Sequence, residues 1–272
     1  MEFIKYIIIG LVQGLTEVLP ISSSGHLKIL EEIFGVNKNN LAFEIFLHLA
    51  SFLAVMIFIF KPFSKMIKGS FLYLFKKQKT YFLEWRNLLY VILATIPIVL
   101  FTIILKLFGY KTSPLYIVGI CLVINGILLF LSSKKRGKRK KENMKIKDAL
   151  VIGLFQCLGV FPGISRSGSC LCGALQRKIN KEDAARFAFM LFVPSVMGAL
   201  VLEVKDIFYL FSQDQKLIPC YLVSFLVSTI ATLFSFGFLL KLIQKNKLVY
   251  FAIYSFVIGF FTFFYSKMNG WI

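Results

Sequence analysis

The chain has 272 residues and a formal net charge of +19, and 58% of its residues are hydrophobic. Its mean hydropathy is +0.77, and only 13 of its residues are acidic. A soluble domain of this size would not contain several apolar stretches that each approach the roughly 20 helical residues needed to cross a bilayer core. The composition therefore predicts an all-α polytopic membrane protein and excludes a soluble globular fold.

The first apolar stretch is interrupted by polar residues. Residues 3–19 are short for a span and are followed by Pro20 and three serines, and the next segment, 25–34, ends at Gly35. A broken helix is tolerated at membrane depth only when it is buried in protein or lines a wet cavity. We therefore predict that residues 1–36 form a re-entrant helical hairpin.

The rest of the chain reads as six spans and a second re-entrant hairpin, all within one membrane domain, 1–272. In chain order the predicted elements are spans 43–60, 88–107 and 114–132, a basic cytoplasmic linker 134–146, a re-entrant hairpin 147–178, and spans 184–203, 217–241 and 248–267.

Two short motifs recur at one offset of 143 residues. GLVQGL (10–15) matches GLFQCL (153–158), and PISSSG (20–25) matches PGISRSG (162–168). We interpret this as an internal duplication of 1–133 and 147–272. Because each copy is followed by three spans, an odd number, two re-entrant motifs make the halves inverted repeats. Such repeats typically bring two broken helices together near the midplane.

The basic residues predict the orientation of these elements. The segments 61–86, 134–147, 177–186 and 241–247 hold 7, 9, 4 and 3 of the 32 Lys and Arg. Basic loops stay in the cytoplasm, and the linker is suited to anionic lipid, so we expect no nucleic-acid partner. Both termini then lie outside, as do the loops 106–113 and 203–216, the latter with Glu203, Asp206 and Asp214.

Each predicted hairpin tip precedes a helix and is rich in Ser and Gly. The first tip contains Ser22, Ser23, Ser24, Gly25 and His26, and the second contains Gly163, Ser165, Arg166, Ser167 and Gly168. Helix N-termini of this kind bind phosphate, and a guanidinium binds two phosphate oxygens at once. Alternatively, the serines are N-caps and the glycines allow tight packing. That alternative does not explain Arg166, whose charge needs an anionic partner in the membrane, either a glutamate or a bound anion.

Further ionisable residues flank the first tip. Gln13 and Glu17 are four residues apart and share a helical face, and His26 can exchange a proton near neutral pH. A divalent cation bound by Glu17 would suit a phosphorylated substrate. Glu44 and His48 form a second pair with this spacing, and they either support the site or form a polar pair between helices. Together these groups indicate phosphoryl transfer, which depends on positioning and charge stabilisation.

At this point the sequence resembles a known family. QGLTEVLPISSSGH (13–26) and PGISRSG (162–168) resemble the two signatures of the bacterial undecaprenyl-diphosphate phosphatases, the bacitracin-resistance type. FEIFLHLASFLAV (43–55) and AARFAFMLFVPSVMGA (184–199) are also similar to the family pattern, so the resemblance covers nearly the whole chain. Gln13 stands where some members have glutamate.

The resemblance implies hydrolysis of undecaprenyl diphosphate in the bacterial plasma membrane, recycling of the peptidoglycan lipid carrier, and bacitracin resistance. It implies a divalent cation, Mg²⁺ or Ca²⁺, with Glu17 and perhaps also Gln13 as ligands, and an active site that faces outside. The attacking group, a serine or water, stays open. The implied catalytic residues are Glu17, Ser23, His26 and Arg166, and the implied diphosphate-binding residues are Ser22, Ser24, Gly25, Ser165, Arg166, Ser167 and Gly168.

A second function is compatible with the same pattern. Inverted repeats with broken helices are common in transporters, so a transporter or flippase of a phosphorylated lipid or another anion is the alternative. It needs the anion site but no proton donor, and phosphate release by the purified protein separates the two functions. The sequence does not define the oligomeric state, and a homodimer is compatible with it.

Overall fold

A computed structural model of the protein describes residues 2–36, 41–110, 113–135, 137–213, 215–245 and 247–269. Asp214 of the predicted outer loop and both chain ends, residue 1 and residues 270–272, lie outside these ranges, as do parts of the loops 106–113 and 134–146. Within the described ranges the protein is helical and has no strands. The helices are α1 (Glu2–Val18), α2 (Ser23–Phe34), α3 (Leu41–Lys76), α4 (Phe82–Leu107), α5 (Leu115–Ser133), α6 (Ile146–Leu158), α7 (Arg166–Gln176), α8 (Lys181–Gln213), α9 (Ile218–Gln244) and α10 (Leu248–Met268).

Six helices of the described chain are long and apolar enough to cross a membrane, namely α3, α4, α5, α8, α9 and α10. Their outward side chains are largely Phe, Ile, Leu and Val, many of them more than 40% exposed. Such surfaces are unfavourable in water and suited to lipid. The prediction of an all-α protein with six apolar spans is thus confirmed.

The helix α3 is longer than the apolar stretch 43–60, because it continues for 16 residues to Lys76. At about 1.5 Å per residue its 36 residues measure about 54 Å, well beyond a hydrocarbon core of about 30 Å. The extension stays helical because Met66 and Gly69 are buried against the bundle while Lys65 reaches Glu84 of α4, 3.5 Å away. Hydropathy marks where the apolar segment ends, but not where the helix ends.

Four shorter helices form two pairs. The helix α1 packs on α2, and α6 packs on α7. Gly35 ends α2 in the left-handed region, at φ 66°. Each pair is also held by a long helix, since α1 lies along α9 and α6 lies along α4. Small residues allow these close contacts: a Cβ at Gly10 would collide with the carbonyl of Ser224, and one at Gly153 with the carbonyl of Ala94.

Hydroxyl groups of α9 bind backbone and side-chain groups of neighbouring helices inside the bundle. Ser224 donates to the carbonyl of Tyr6 (2.8 Å) and Ser235 donates to the carbonyl of Leu15 (2.7 Å), both on α1. Such bonds between helices add modestly to association in lipid. They fix α1, and with it the following chain reversal, against a spanning helix.

The linker after α5 is tied to the second short pair. Arg139 and Ile179 form a parallel bridge, and the buried carboxylate of Asp148 accepts from Arg139 (2.7 Å) and Arg177 (2.6 Å). Burial alone would raise the pKa of Asp148, but the hydrogen bonds from the two guanidinium groups outweigh it and hold that pKa below its ordinary value. The end of α7 is thereby fixed to the start of α6.

Candidate active site

The turns between α1 and α2 and between α6 and α7 meet inside the bundle. The backbone N–H of Gly163 donates to Ser22 Oγ, 3.1 Å away. A Cβ at Gly25 would lie 2.9 Å from Gly163 Cα, and one at Gly168 would lie 3.0 Å from Pro20 Cβ. Glycine at 25 and 168 therefore allows a contact between the two turns that a side chain would prevent. The sequence prediction that both tips contribute to one place agrees with this geometry.

The serines that precede α2 and α7 cap those helices. Ser22 Oγ accepts from the N–H of Gly25 (3.3 Å), and Ser165 Oγ accepts from the N–H of Gly168 (3.0 Å). Ser22 holds a positive φ of 71°, a costly conformation for a residue with a side chain. The N-cap reading was therefore correct for these two serines. Their hydroxyls also approach the less buried Ser24 (3.3 Å) and Ser167 (3.2 Å), respectively.

Asn125 of α5 connects the two tips and was not identified from the sequence. Its Nδ2 donates to the carbonyl of Pro20 (2.9 Å) and to Ser255 Oγ (3.1 Å), and its Oδ1 accepts from the N–H of Ser165 (3.0 Å). The side chain is buried, so these bonds are costly to lose. The only signal in the sequence is one amide within an otherwise apolar helix.

Glu17 is the charged centre of the site. One carboxylate oxygen, Oε2, accepts from Ser23 Oγ (2.5 Å) and Gln13 Nε2 (2.9 Å) and lies 2.9 Å from His48 Nδ1. The other oxygen, Oε1, lies 3.8 Å from Arg166 Nη2. A buried carboxylate requires such compensation. The structure thus unites Gln13 and Glu17 of α1, Ser23 of α2, His48 of α3 and Arg166 of α7.

Arg166 faces Glu17 without closing a hydrogen bond to it. Its Nη2 is 3.8 Å from Glu17 Oε1, and its Cζ lies 5.5 Å from the ring centre of Phe192 on α8. Glu17 is its only ion-pair partner among the described residues. The guanidinium has five N–H groups in a planar fork. Several of these donors are available for a bound anion next to the N-terminus of α7.

His26 is held at the tip by two other groups. Its Nδ1 lies 2.7 Å from the carbonyl oxygen of Ser22, and its Nε2 lies 2.8 Å from the hydroxyl of Tyr254 on α10. The rings of His26 and Tyr254 are also stacked, with centroids 5.6 Å apart. Because a carbonyl only accepts, Nδ1 donates to Ser22, and the neutral ring then accepts from Tyr254 at Nε2. Sequence reasoning did not find Tyr254.

The residues around Glu17 fit a divalent cation. Gln13 Oε1 is buried and has no hydrogen-bond partner, and Glu17 Oε1 has only the distant Arg166. Mg²⁺ usually binds one or two protein oxygens together with phosphate and water. The described residues contain no cluster of three His, Cys, Asp or Glu side chains that could hold a metal alone. Any cation here would therefore share its coordination sphere with a phosphorylated substrate.

Glu44 lies one helical turn before His48 on α3 and is half-buried. His48 contacts Glu17 and also lies 3.1 Å from Gln13 Nε2, so it belongs to the surroundings of the carboxylate. This placement supports the expectation that the Glu44 and His48 pair serves the site. Lys106 lies elsewhere, in an ion pair with Glu203 (3.0 Å).

These features define a polytopic helical membrane protein with a polar, charged site between two broken helices. The chain matches the model of the bacitracin resistance protein BacA family over residues 6–261. The protein therefore belongs to the BacA family.

Relatives of similar length agree with this assignment. The chain is 38% identical to undecaprenyl-diphosphatase 2 of Halalkalibacterium halodurans, with 99% of this chain and 98% of the relative covered. It is 36% identical to an undecaprenyl-diphosphatase of Oceanobacillus iheyensis, with 94% of each chain covered. It is 34% identical to undecaprenyl-diphosphatase 1 of Bacillus licheniformis, with 94% of this chain and 95% of the relative covered.

Proposed function

We propose that this protein is an undecaprenyl-diphosphatase of the bacterial plasma membrane, which hydrolyses undecaprenyl diphosphate to undecaprenyl phosphate and inorganic phosphate. Full-length relatives with that name support the activity. The observation that carries it in this chain is the meeting of Ser23, Glu17 and Arg166 at two helix N-termini inside an apolar bundle. The activity recycles the lipid carrier for peptidoglycan synthesis and confers resistance to bacitracin.

Ser23 is the nucleophile in this proposal. Its hydroxyl donates to Glu17 Oε2, the arrangement in which a base activates an alcohol. Ser23 Oγ attacks the terminal phosphorus, the bond from that phosphorus to the bridging oxygen breaks, and undecaprenyl phosphate leaves. Water then attacks the phosphoserine and releases inorganic phosphate. A phosphoserine trapped at Ser23, and absent from Ser23→Ala, would support this order, and an unlabelled Ser23 during turnover would favour direct attack by water.

Arg166 and the backbone of the two tips bind the diphosphate in this proposal. The N-termini of α2 and α7 supply N–H groups and partial positive charge. Ser24 and Ser167 are only half-buried, so their hydroxyls are available to phosphate oxygens, while Ser22 and Ser165 shape the turns as caps. These groups stabilise charge on the transferring phosphoryl group, which is the main catalytic demand of this chemistry.

His26 manages a proton in this proposal. The hydrogen bonds to Ser22 and Tyr254 fix its ring and its tautomer. The leaving phosphate oxygen and the attacking water of the second step both need proton transfer, which a positioned imidazole provides. A divalent cation, Mg²⁺ or Ca²⁺, would be held by Glu17 and Gln13 and would neutralise phosphate charge when bound.

The two short helix pairs are re-entrant hairpins in this proposal, and the halves of the chain are inverted repeats. Three pairs of equivalent contacts support this at or near the offset of 143 residues. The helix α1 lies along α9 as α6 lies along α4, Ser22 caps α2 as Ser165 caps α7, and Gln13 reaches α3 as Gln156 reaches Ser195 of α8 (2.6 Å). The site then opens to the outer face, with both termini outside.

The orientation can be tested by labelling. Cysteine at Phe108, which is 86% exposed after α4, is expected to react with an impermeant reagent added outside, and cysteine at the exposed Lys138 only after permeabilisation. The native chain is the control, because its cysteines are buried or half-buried. The reverse pattern would refute the outward-facing site. A homodimer remains a prediction, although one chain alone brings both tips together.

One assay tests the function itself. Purified protein in detergent is given undecaprenyl diphosphate, and inorganic phosphate is measured with and without a chelator. We expect phosphate release that a chelator suppresses and excess Mg²⁺ or Ca²⁺ restores. Protein-dependent lipid movement in vesicles without phosphate release would instead favour the transporter alternative.

A further inference from the structure

A groove on the membrane-facing side of the bundle lies between α3, α4 and α8. Its volume is about 490 Å³, and its lining includes Phe63, Ile96, Val99, Val193 and Pro194. Thr95 is the one hydroxyl among the lining residues, and it is satisfied by the carbonyl of Val91 (2.8 Å). The groove therefore offers no free polar side chain and suits a hydrocarbon chain.

The groove adjoins the candidate active site through one turn of α8. Phe192 lies under Arg166 and Ser195 accepts from Gln156 of α6, so these two residues face the second tip. Val193 and Pro194, which lie between them in the sequence, line the groove. A molecule that places its charged end at Arg166 thus has an apolar channel beginning within a few residues of that charge.

We propose that this groove binds the first isoprene units of the polyprenyl tail while the diphosphate is held between the tips. This inference rests on the proposed function. It commits to the substrate tail rather than to a bilayer acyl chain, because only a lipid with its phosphate at Arg166 uses the junction at Phe192 to Ser195. The lining on α4 runs from Leu88 to Leu100, about 18 Å of helix at 1.5 Å per residue, and so follows several units of a chain.

The groove makes activity depend on the length of the substrate tail. Filling it with Val99→Trp or Ile96→Trp is expected to lower kcat/KM for undecaprenyl diphosphate by about tenfold or more, the usual effect of losing fit in an apolar pocket. Geranyl diphosphate, whose tail has only two isoprene units, should be hydrolysed by these variants within about twofold of the unmodified protein. Its hydrolysis also shows that the variants fold and keep an intact phosphate site.

The matched control is Ile103→Trp. Ile103 is 50% exposed on the same helix, seven residues beyond Ile96 and therefore on nearly the same face, but outside the groove. It should leave both substrates unaffected. Equal losses for the long and the short substrate, or no loss for either, would overturn the tail site. Failure of the unmodified protein to release phosphate from either substrate would instead refute the proposed function.

Discussion

The hydroxyl of Tyr254 lies 2.8 Å from Nε2 of His26, and the two rings are stacked 5.6 Å apart. These residues are 228 positions apart in the chain, on α10 and α2. The contact joins the last spanning helix to the first hairpin tip. A histidine held at both nitrogens has a defined ring orientation and a defined proton position.

The first prediction concerns this contact. Tyr254→Phe keeps the stacked ring but removes the donor that favours the neutral imidazole. We expect kcat to fall by about tenfold and the acidic limb of the pH profile of kcat/KM to move to higher pH, a shift that a merely structural loss would not produce. Tyr250→Phe, one turn earlier and 53% exposed, is the control. An unchanged pH profile in Tyr254→Phe would remove Tyr254 from the reaction.

Replacement of Arg166 tests the anion site. We expect Arg166→Lys to be nearly as damaging as Arg166→Ala in assays of phosphate release, because a point charge does not reproduce the planar fork. Arg186→Lys, at an exposed ion pair with Glu182 (2.6 Å), should be neutral. Full activity of Arg166→Lys would show that charge alone is sufficient and that the fork geometry is not used.

The pair Glu17 and Gln13 tests the cation. Glu17→Gln is expected to reduce turnover by about 10²–10⁴-fold, the range for a group in acid–base chemistry. Gln13→Glu places a second carboxylate where an amide oxygen is now unpaired, so the concentration of Mg²⁺ or Ca²⁺ needed for half-maximal activity should fall. Titration of activity with each metal measures this. An unchanged midpoint in Gln13→Glu would exclude position 13 as a ligand.

The close approach of the tips makes Gly25 sensitive to a single methyl group. Gly25→Ala would place its Cβ 2.9 Å from Gly163 Cα, and we expect a loss of roughly 1–3 kcal/mol in stability together with reduced activity. Thermal unfolding in detergent measures the change. Gly237→Ala has no atom within 4 Å of its new Cβ and should be neutral or slightly stabilising. Equal behaviour of the two variants would contradict a tight contact.

The last prediction concerns Asp148 at the linker. Because its pKa is below the ordinary value in the folded protein, its contribution to stability is present above about pH 4 and is lost as pH falls through the folded pKa. Asp148→Asn should lower the unfolding temperature at pH 7 by several degrees and flatten the change in stability below pH 4. Glu142→Gln, in the same linker, is the control. A pH profile of unfolding that matches the unmodified protein would contradict this account.

Much of the fold could be predicted because its signals are local. Apolar length identified the six spanning helices, and the Ser- and Gly-rich turns identified both tips. Glu17 and Arg166 stood out because a charge in an apolar segment is costly. The opposite limit appears in α3, where alternating lysines and apolar residues gave no apolar run and the helix nevertheless continues to Lys76.

The parts that could not be predicted depend on which helices are neighbours. Asn125 and Tyr254 each stand among apolar residues, and nothing near them in the chain indicates a partner. Their roles arise only once α5 and α10 pack together and present both side chains to the tips. His48 shows an intermediate case. Its spacing from Glu44 indicated a polar pair, but only the packing of α3 against α1 shows that it contacts Glu17.

The hydrogen bond from Gly163 to Ser22 has a consequence for how the chain is divided. The acid Glu17 and the cation Arg166 come from opposite ends of the gene, so neither half alone owns a working centre. Two fragments cut in the segment after Ser133 would each be inert, and mixing them in one bilayer, inserted in opposite directions, is what would restore turnover.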